Sequence, residues 1–153
     1  MGYRVALAAL DALGGRRAPD EELVAIVEND SCAVDAIQAV LGCTVGKGNL
    51  ILRDYGRQVY TVYRRETGEG IRISFQPWPE QAEHTREGWQ RDLLTAAQED
   101  LLVIEPAQEP MPGRAQIEPS ERCARCGQLV QRSRLVQVGR RWLCRPCADQ
   151  SGQ

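Results

Sequence analysis

The sequence predicts an α+β body followed by a small cysteine-bearing module, and three observations carry that prediction. Residues 3–41 read as helix, strand, helix; residues 50–75 read as three strands separated by turn signals; and a proline-rich stretch at 105–119 sets this body apart from a basic tail that holds four of the six cysteines. The 153 residues, 42% hydrophobic and 26% charged, suffice for one globular domain plus an appendage and exclude a chain disordered throughout.

Taking the elements in order, Val5, Leu7, Ala8, Leu10 and Leu13 recur among alanines and the run stops at Gly14-Gly15, which predicts a short buried helix. Leu23–Val27 is an unbroken apolar run bounded by acids, as suits a buried strand. A second helix is predicted over 33–41, with Asp30 or Ser31 as its cap, Asp35 in its first turn and Gly42 at its end. It is mostly apolar and is expected deep in the core. Segments 50–53, 58–64 and 70–75 then read as an antiparallel meander; in the last, Ile71, Ile73 and Phe75 alternate with Arg72 and Ser74, giving one wet face. An amphipathic helix is predicted over 80–100, with Trp89, Leu93, Leu94 and Ala97 on one side, followed by the apolar run 101–104. Four prolines and no periodicity make 105–119 a semi-extended linker. The domains read from the sequence are therefore 1–104, 105–119 and 120–153, with no internal repeat.

Charge is divided unevenly. Residues 1–119 hold 12 Arg/Lys against 19 Asp/Glu, whereas 120–153 hold 7 against 2. Of the 19 basic residues 18 are arginine, as a GC-rich codon usage would give, so the single lysine, Lys47, stands out. No apolar run approaches the roughly 20 residues of a membrane-spanning helix, and the opening Met1-Gly2-Tyr3-Arg4 lacks the layout of a signal peptide. The chain reads as cytoplasmic, and in that reducing setting six cysteines point to metal or thiolate chemistry rather than a disulfide framework.

The tail carries the sharpest signal. Cys123 and Cys126 form one CxxC, Cys144 and Cys147 a second, with 17 residues between the pairs. Each CxxC lets a tight turn present two sulfurs to one ion, and a hairpin between the pairs would close a tetrahedral site of the treble-clef kind. Val130, Leu135, Val136, Val138, Trp142 and Leu143 are too few to fold about 30 residues, so structural zinc is expected to order the segment. Redox dithiols or a rubredoxin-like iron site are the alternatives. The CxxCG start and the Leu-Cys-x-x-Cys-Ala end resemble the four-cysteine finger of the DksA/TraR type. Seven arginines and Trp142 also make a nucleic-acid contact conceivable, although zinc-bound thiolates attract arginines without one.

In the body, Cys32 falls at the first turn of a predicted helix, where free N–H groups favour a thiolate ligand or nucleophile. Cys43 follows that helix, and the loop Gly46-Lys47-Gly48-Asn49 could offer N–H groups and an ammonium to an anion. The bland readings are a small buried hydrophobe and a plain turn. The run from Asp30 to Gln38, the run from Gly42 to Leu50, Gly2-Tyr3-Arg4 and Gly70-Ile71-Arg72-Ile73 together resemble the FmdE family, named for the E component of formylmethanofuran dehydrogenase, across about residues 2–75. The resemblance implies a body like the catalytic domain of glyceraldehyde-3-phosphate dehydrogenase. Family members carry a Gly-His-x-Cys-Pro-Gly motif ahead of the segment matching Gly2-Tyr3-Arg4, and its His and Cys are the implied partners of Cys32. The sequence in hand starts after that position, so a second metal site at Cys32 and Cys43 is expected to be incomplete, and a second metal is expected only with that motif present. His84, in a charged stretch, reads as a solvated side chain.

Three functions follow. The first is an FmdE-like metal-binding accessory protein that docks a molybdenum or tungsten oxidoreductase, not an enzyme on its own, with a homodimer plausible from exposed strand edges. The second is a regulator that binds nucleic acid or RNA polymerase through the basic finger. The third is an enzyme with Cys32 as nucleophile, for which no base is visible. No GxGxxG is present to hold a dinucleotide.

Overall fold

A computed structural model describes residues 1–76 and 85–150. The chain divides into two compact units, Met1–Ala115 and Gln116–Gln153. Among the described residues no helix is long and apolar enough to cross a membrane.

The first unit runs α1 (Gly2–Ala12), β1 (Leu23–Val27), α2 (Ala33–Ala36) continued by a π-helical turn (Ile37–Leu41), β2 (Leu50–Leu52), β3 (Val59–Arg64), β4 (Gly70–Phe75), α3 (Arg86–Thr95), α4 (Gln98–Leu101) and β5 (Leu102–Pro106). One sheet collects the strands in the order β2-β1-β3-β4-β5. Here the structure corrects the predicted meander of 50–75. β1 lies between β2 and β3, parallel to β2 (Ala25 opposite Leu50) and antiparallel to β3 (Leu23 opposite Arg64 through Val27 opposite Tyr60). The antiparallel meander is instead β3-β4-β5. The reason is visible in β1, whose five residues are all buried: such a strand needs neighbours on both edges, and a helical crossover returns the next strand parallel.

Alternation sorts the sheet into two faces. Ala25, Val27, Tyr60, Val62 and Ile73 pack with Val5, Ala9, Ile37 and Leu41 of the helices in the main core. Gly2 permits that packing, because a Cβ there would collide with the carbonyl of Ala33. The second helix is less deeply set than expected, with only Ala33, Ile37 and Leu41 buried along it. Cys32 occupies the position before its first residue, Ser31 Oγ accepts from Ala33 N at 3.4 Å, and Gly42 ends it at φ 77°.

The opposite face buries Val24, Ile26 and Tyr63 beneath Ala107 and Met111. Residues 105–115, read from the sequence as the front of a linker, are thus part of the body. β5 reaches Pro106, and a strap follows in which Tyr63 Oη donates to the Glu109 carbonyl (2.7 Å) while Arg65 donates to the carbonyls of Pro112 (2.7 Å) and Gly113 (3.0 Å). The boundary falls after Ala115 rather than at 104. Prolines do not donate to a ladder, and the strap's carbonyls of Glu109, Pro112 and Gly113 are instead taken up by these tyrosine and arginine donors. The predicted helix over 80–100 is shorter, running from Arg86 behind a Thr85 cap whose Oγ1 accepts from Gly88 N (3.1 Å). Its beginning, with His84, lies outside the described residues.

The second unit contains β6 (Ser120–Arg122) paired with β7 (Leu129–Gln131), a single 3-10 turn (Arg132–Arg134), the hairpin β8 (Leu135–Val138) and β9 (Arg141–Cys144), and α5 (Arg145–Asp149).

Candidate metal centre

The second unit brings its four cysteines to one point. Cys123 and Cys126 flank the turn after β6, which closes through Gly127 N to the Cys123 carbonyl (2.9 Å) with Gly127 at φ 73°. Cys144 ends β9 and Cys147 lies in the first turn of α5, where Pro146 suits the helix start. All four sulfurs lie within 4.8 Å of one another, and Cys126 Sγ is 3.9 Å from Cys144 Sγ. A tetrahedral ion with metal–sulfur bonds of about 2.3 Å sets its ligands about 3.8 Å apart, so the quartet fits one.

The surroundings favour thiolates. Arg125 N and Cys144 N point at Cys123 Sγ (3.5 and 3.3 Å). Together with the N–H of Cys126, first in effect, they hold the Cys123 thiol down to about 6. Cys147 is pushed up to about 12, chiefly by its hydrogen bond with Cys144 and then by burial, because four adjacent sulfurs cannot all be anions without a cation among them. The module's own core is small: fully buried Leu143 beside Cys123 and Cys144, with Val130, Val138 and Ala148 against them. Arg122 and Arg125 donate to the carbonyls of Gly127 (2.9 Å) and Cys147 (3.1 Å), so part of the arginine excess fastens the knuckle itself. Trp142 and Leu129 remain exposed.

Among its described residues the body assembles no comparable site. Cys32 is exposed in the link between β1 and α2, with Val45 and Leu52 in a shallow cleft on one side and Tyr3 and Gln58 in another. Cys43 is fully buried, and desolvation pushes its thiol up to about 12 despite Lys47 and Arg65 nearby. Cys32 precedes the intervening helix, exposed, and Cys43 follows it, buried, and among the described residues neither belongs to a group of three or more metal-ligating side chains. Among the described residues the only group of three or more metal-ligating side chains is the quartet of the second unit.

Lys47 also differs from the anion-binding expectation. Its ammonium donates to the carbonyls of Gly42 (3.0 Å), Pro19 (3.0 Å) and Asp20 (3.4 Å), which occupies all three of its protons. Asn49, wholly buried, donates to the carbonyls of Leu23 (2.9 Å) and Asp20 (3.1 Å) and accepts from Thr44 N (2.9 Å). The glycine-rich loop is a polar plug that ties the β1 entry to the helix exit. The sequence reading missed Asn49 and also Glu28, a buried carboxylate 2.6 Å from Arg57. The available signal was position: both are polar residues directly abutting apolar strands.

A mixed α/β body joined to a four-cysteine module defines a two-unit protein whose C-terminal unit is built to hold a metal ion. More particularly, the chain belongs to the FmdE family (FmdE, molybdenum formylmethanofuran dehydrogenase operon), which matches residues 1–111. It is 27% identical over 179 aligned positions to a probable S-adenosyl-L-methionine-binding protein of Archaeoglobus fulgidus; the match takes in 97% of this chain and spans about half (48%) of that protein. Its fold is similar to the crystal structure of a tungsten formylmethanofuran dehydrogenase FmdE-like protein from Syntrophus aciditrophicus, with a TM-score of 0.62 and 21% identity over 99% of this chain and 85% of that one.

Proposed function

We propose that this chain is an FmdE-like metal-binding accessory protein whose second unit is a structural zinc module that docks a partner, with a molybdenum or tungsten oxidoreductase as the expected partner class. The convergence of four sulfurs within 4.8 Å carries this reading. Four protein ligands leave no open coordination position, as in structural rather than catalytic zinc sites, and an all-thiolate cage selects zinc or iron over harder ions. The order of knuckle, hairpin and short helix supports a finger of the treble-clef, DksA/TraR-like kind. Exposed Trp142 and Leu129 supply apolar contact area on a module that needs neither for its own core.

The test is elemental analysis of the full chain beside Cys144→Ser. One zinc per chain, lost in the variant, is the expected result; iron, or metal retained without Cys144, overturns the assignment. Co-purification with the oxidoreductase, abolished by Trp142→Ala at unchanged zinc content, tests the docking role. A second reading, nucleic-acid contact, is favoured by Trp142 beside Arg140 and Arg141; binding of single-stranded RNA that weakens steeply with salt would support it, and no binding at about 50 mM salt would retire it.

A further inference from the structure

We infer that the strap-covered face of the sheet carries a binding site for a small organic carboxylate. A cavity of about 230 Å³ opens there, below the roughly 300 Å³ at which drug-sized pockets begin, so its occupant is small. Glu28, Thr61 and Arg72 form its floor on the sheet; Arg53, Tyr55 and Arg57 approach from the β2–β3 connection, and Glu109 from the strap.

Among the described residues that line it none is aliphatic, although the apolar cluster of Val24, Ile26 and Met111 lies on the same face. Polar and charged groups placed this deep need compensation: Glu28 is 5% exposed and Thr61 2%. Glu28 pairs with Arg57 Nη2 at 2.6 Å without forming an aligned hydrogen bond, and Arg57 lies 5.2 Å over the Tyr55 ring. Three guanidiniums line the cavity against two lining carboxylates, and the third, Arg72, reaches Glu105 outside the lining at 3.5 Å.

The geometry also shows what those guanidiniums recognise. Arg53 holds Glu109 with both terminal nitrogens, at 2.9 and 2.7 Å, the two-pronged arrangement by which arginine selects planar carboxylates. Glu109 sits on a strap without helix or strand, so an internal carboxylate occupies one fork of the site. Arg72 is the under-used fork: among the described residues its guanidinium makes one long hydrogen bond, 3.5 Å to Glu105. A ligand carboxylate seated on Arg72, within reach of the Thr61 hydroxyl, leaves its remaining atoms for the Tyr55–Arg57 stack.

The test is calorimetric and NMR titration of the zinc-loaded full chain with benzoate, malonate and inorganic phosphate at low salt. Saturable binding of a carboxylate is expected, weakened about tenfold in Arg72→Gln. Glu109→Gln, which frees the Arg53 fork, is expected to tighten it several-fold. Thr61→Val serves as a second, milder variant should Arg72→Gln fail to fold, and is expected to weaken binding without changing the spectrum of the main core. An ion-pair network with no ligand predicts the reverse: no saturation by about 10 mM in wild type or Glu109→Gln. That result, unchanged affinity in Arg72→Gln or Thr61→Val, or phosphate binding as tightly as either carboxylate, overturns the inference.

Discussion

Stripping the metal is expected to unfold the second unit while leaving the first intact. Among the described residues that unit buries two leucines, Leu143 fully and Leu135 nearly so, which together stabilise by about 3–6 kcal/mol. Its two strand pairs span only three and four residue pairs, too short to stand alone in water. A tetrathiolate zinc site in a small module contributes about 10–16 kcal/mol, as much as the whole stability of an ordinary domain. Chelation at neutral pH therefore removes most of what holds the unit together. The assay is limited trypsin digestion, because Arg122, Arg125, Arg132, Arg134, Arg140 and Arg141 all lie in this unit. Cleavage at these sites is expected to accelerate by roughly two orders of magnitude once metal is removed, while the bonds after Arg64, which ends β3, and Arg65, which holds the strap carbonyls of Pro112 and Gly113, remain slow. A metal-free sample, verified by elemental analysis, that resists trypsin as well as the loaded one would refute the reasoning.

Replacing Asn49 by Ala leaves the carbonyls of Asp20 and Leu23 and the N–H of Thr44 without their partner, and urea unfolding should show a loss of about 2–4 kcal/mol. Lys47→Met, which removes three carbonyl contacts at a more accessible position, is expected to cost about 1–2 kcal/mol. Iodoacetamide should modify exposed Cys32 in the native protein and leave buried Cys43 untouched until unfolding, with mass spectrometry of tryptic peptides as the readout. The Cys43 thiol is raised from 9.0 to about 12 in the folded state, so the folded chain keeps a proton that the unfolded chain releases; its contribution is complete below pH 9 and is lost towards pH 12. Wild type should therefore lose stability relative to Cys43→Ala by up to about 1.4 kcal/mol per pH unit across that window, and parallel curves for the two proteins would show the burial to be incomplete.

Local patterns in the sequence located most elements because each rests on its own residues. The run Leu23–Val27 and the alternation in Gly70–Phe75 match the observed strands, and the paired CxxC spacing matched the sulfur convergence because a CxxC fixes its geometry within one turn. What failed was non-local. Strand order depends on which edge of β1 each neighbour takes, and nothing within 50–53 states that it returns parallel to β1. The strap failed for the same reason: its prolines and glutamates read as linker until Tyr63 and Arg65, more than forty residues earlier, are seen to donate to it. Lys47 misled in the opposite sense, since an ammonium beside glycines suits an anion until the carbonyls that surround it are known.

The residues that look reactive and those that frame a cavity thus belong to different parts of the chain, and burial explains the division. The 42–49 segment joins a helix end to a strand start, so several carbonyls there lack ladder partners and must be satisfied inside the protein; Lys47 and Asn49 are consumed by that demand. Beneath the strap β1, β3 and β4 satisfy one another along their lengths, and Tyr63 and Arg65 take up the strap carbonyls of Glu109, Pro112 and Gly113. Arg53, Arg57, Arg72 and the carboxylates they face answer to side-chain chemistry, which leaves them free to exchange an internal carboxylate for an external one. Since the metal module has its own core, losing the ion removes the Trp142 surface without disturbing this exchange. The two properties are therefore expected to fail separately: zinc removal should abolish partner docking at undiminished carboxylate affinity, and Arg72→Gln should do the converse.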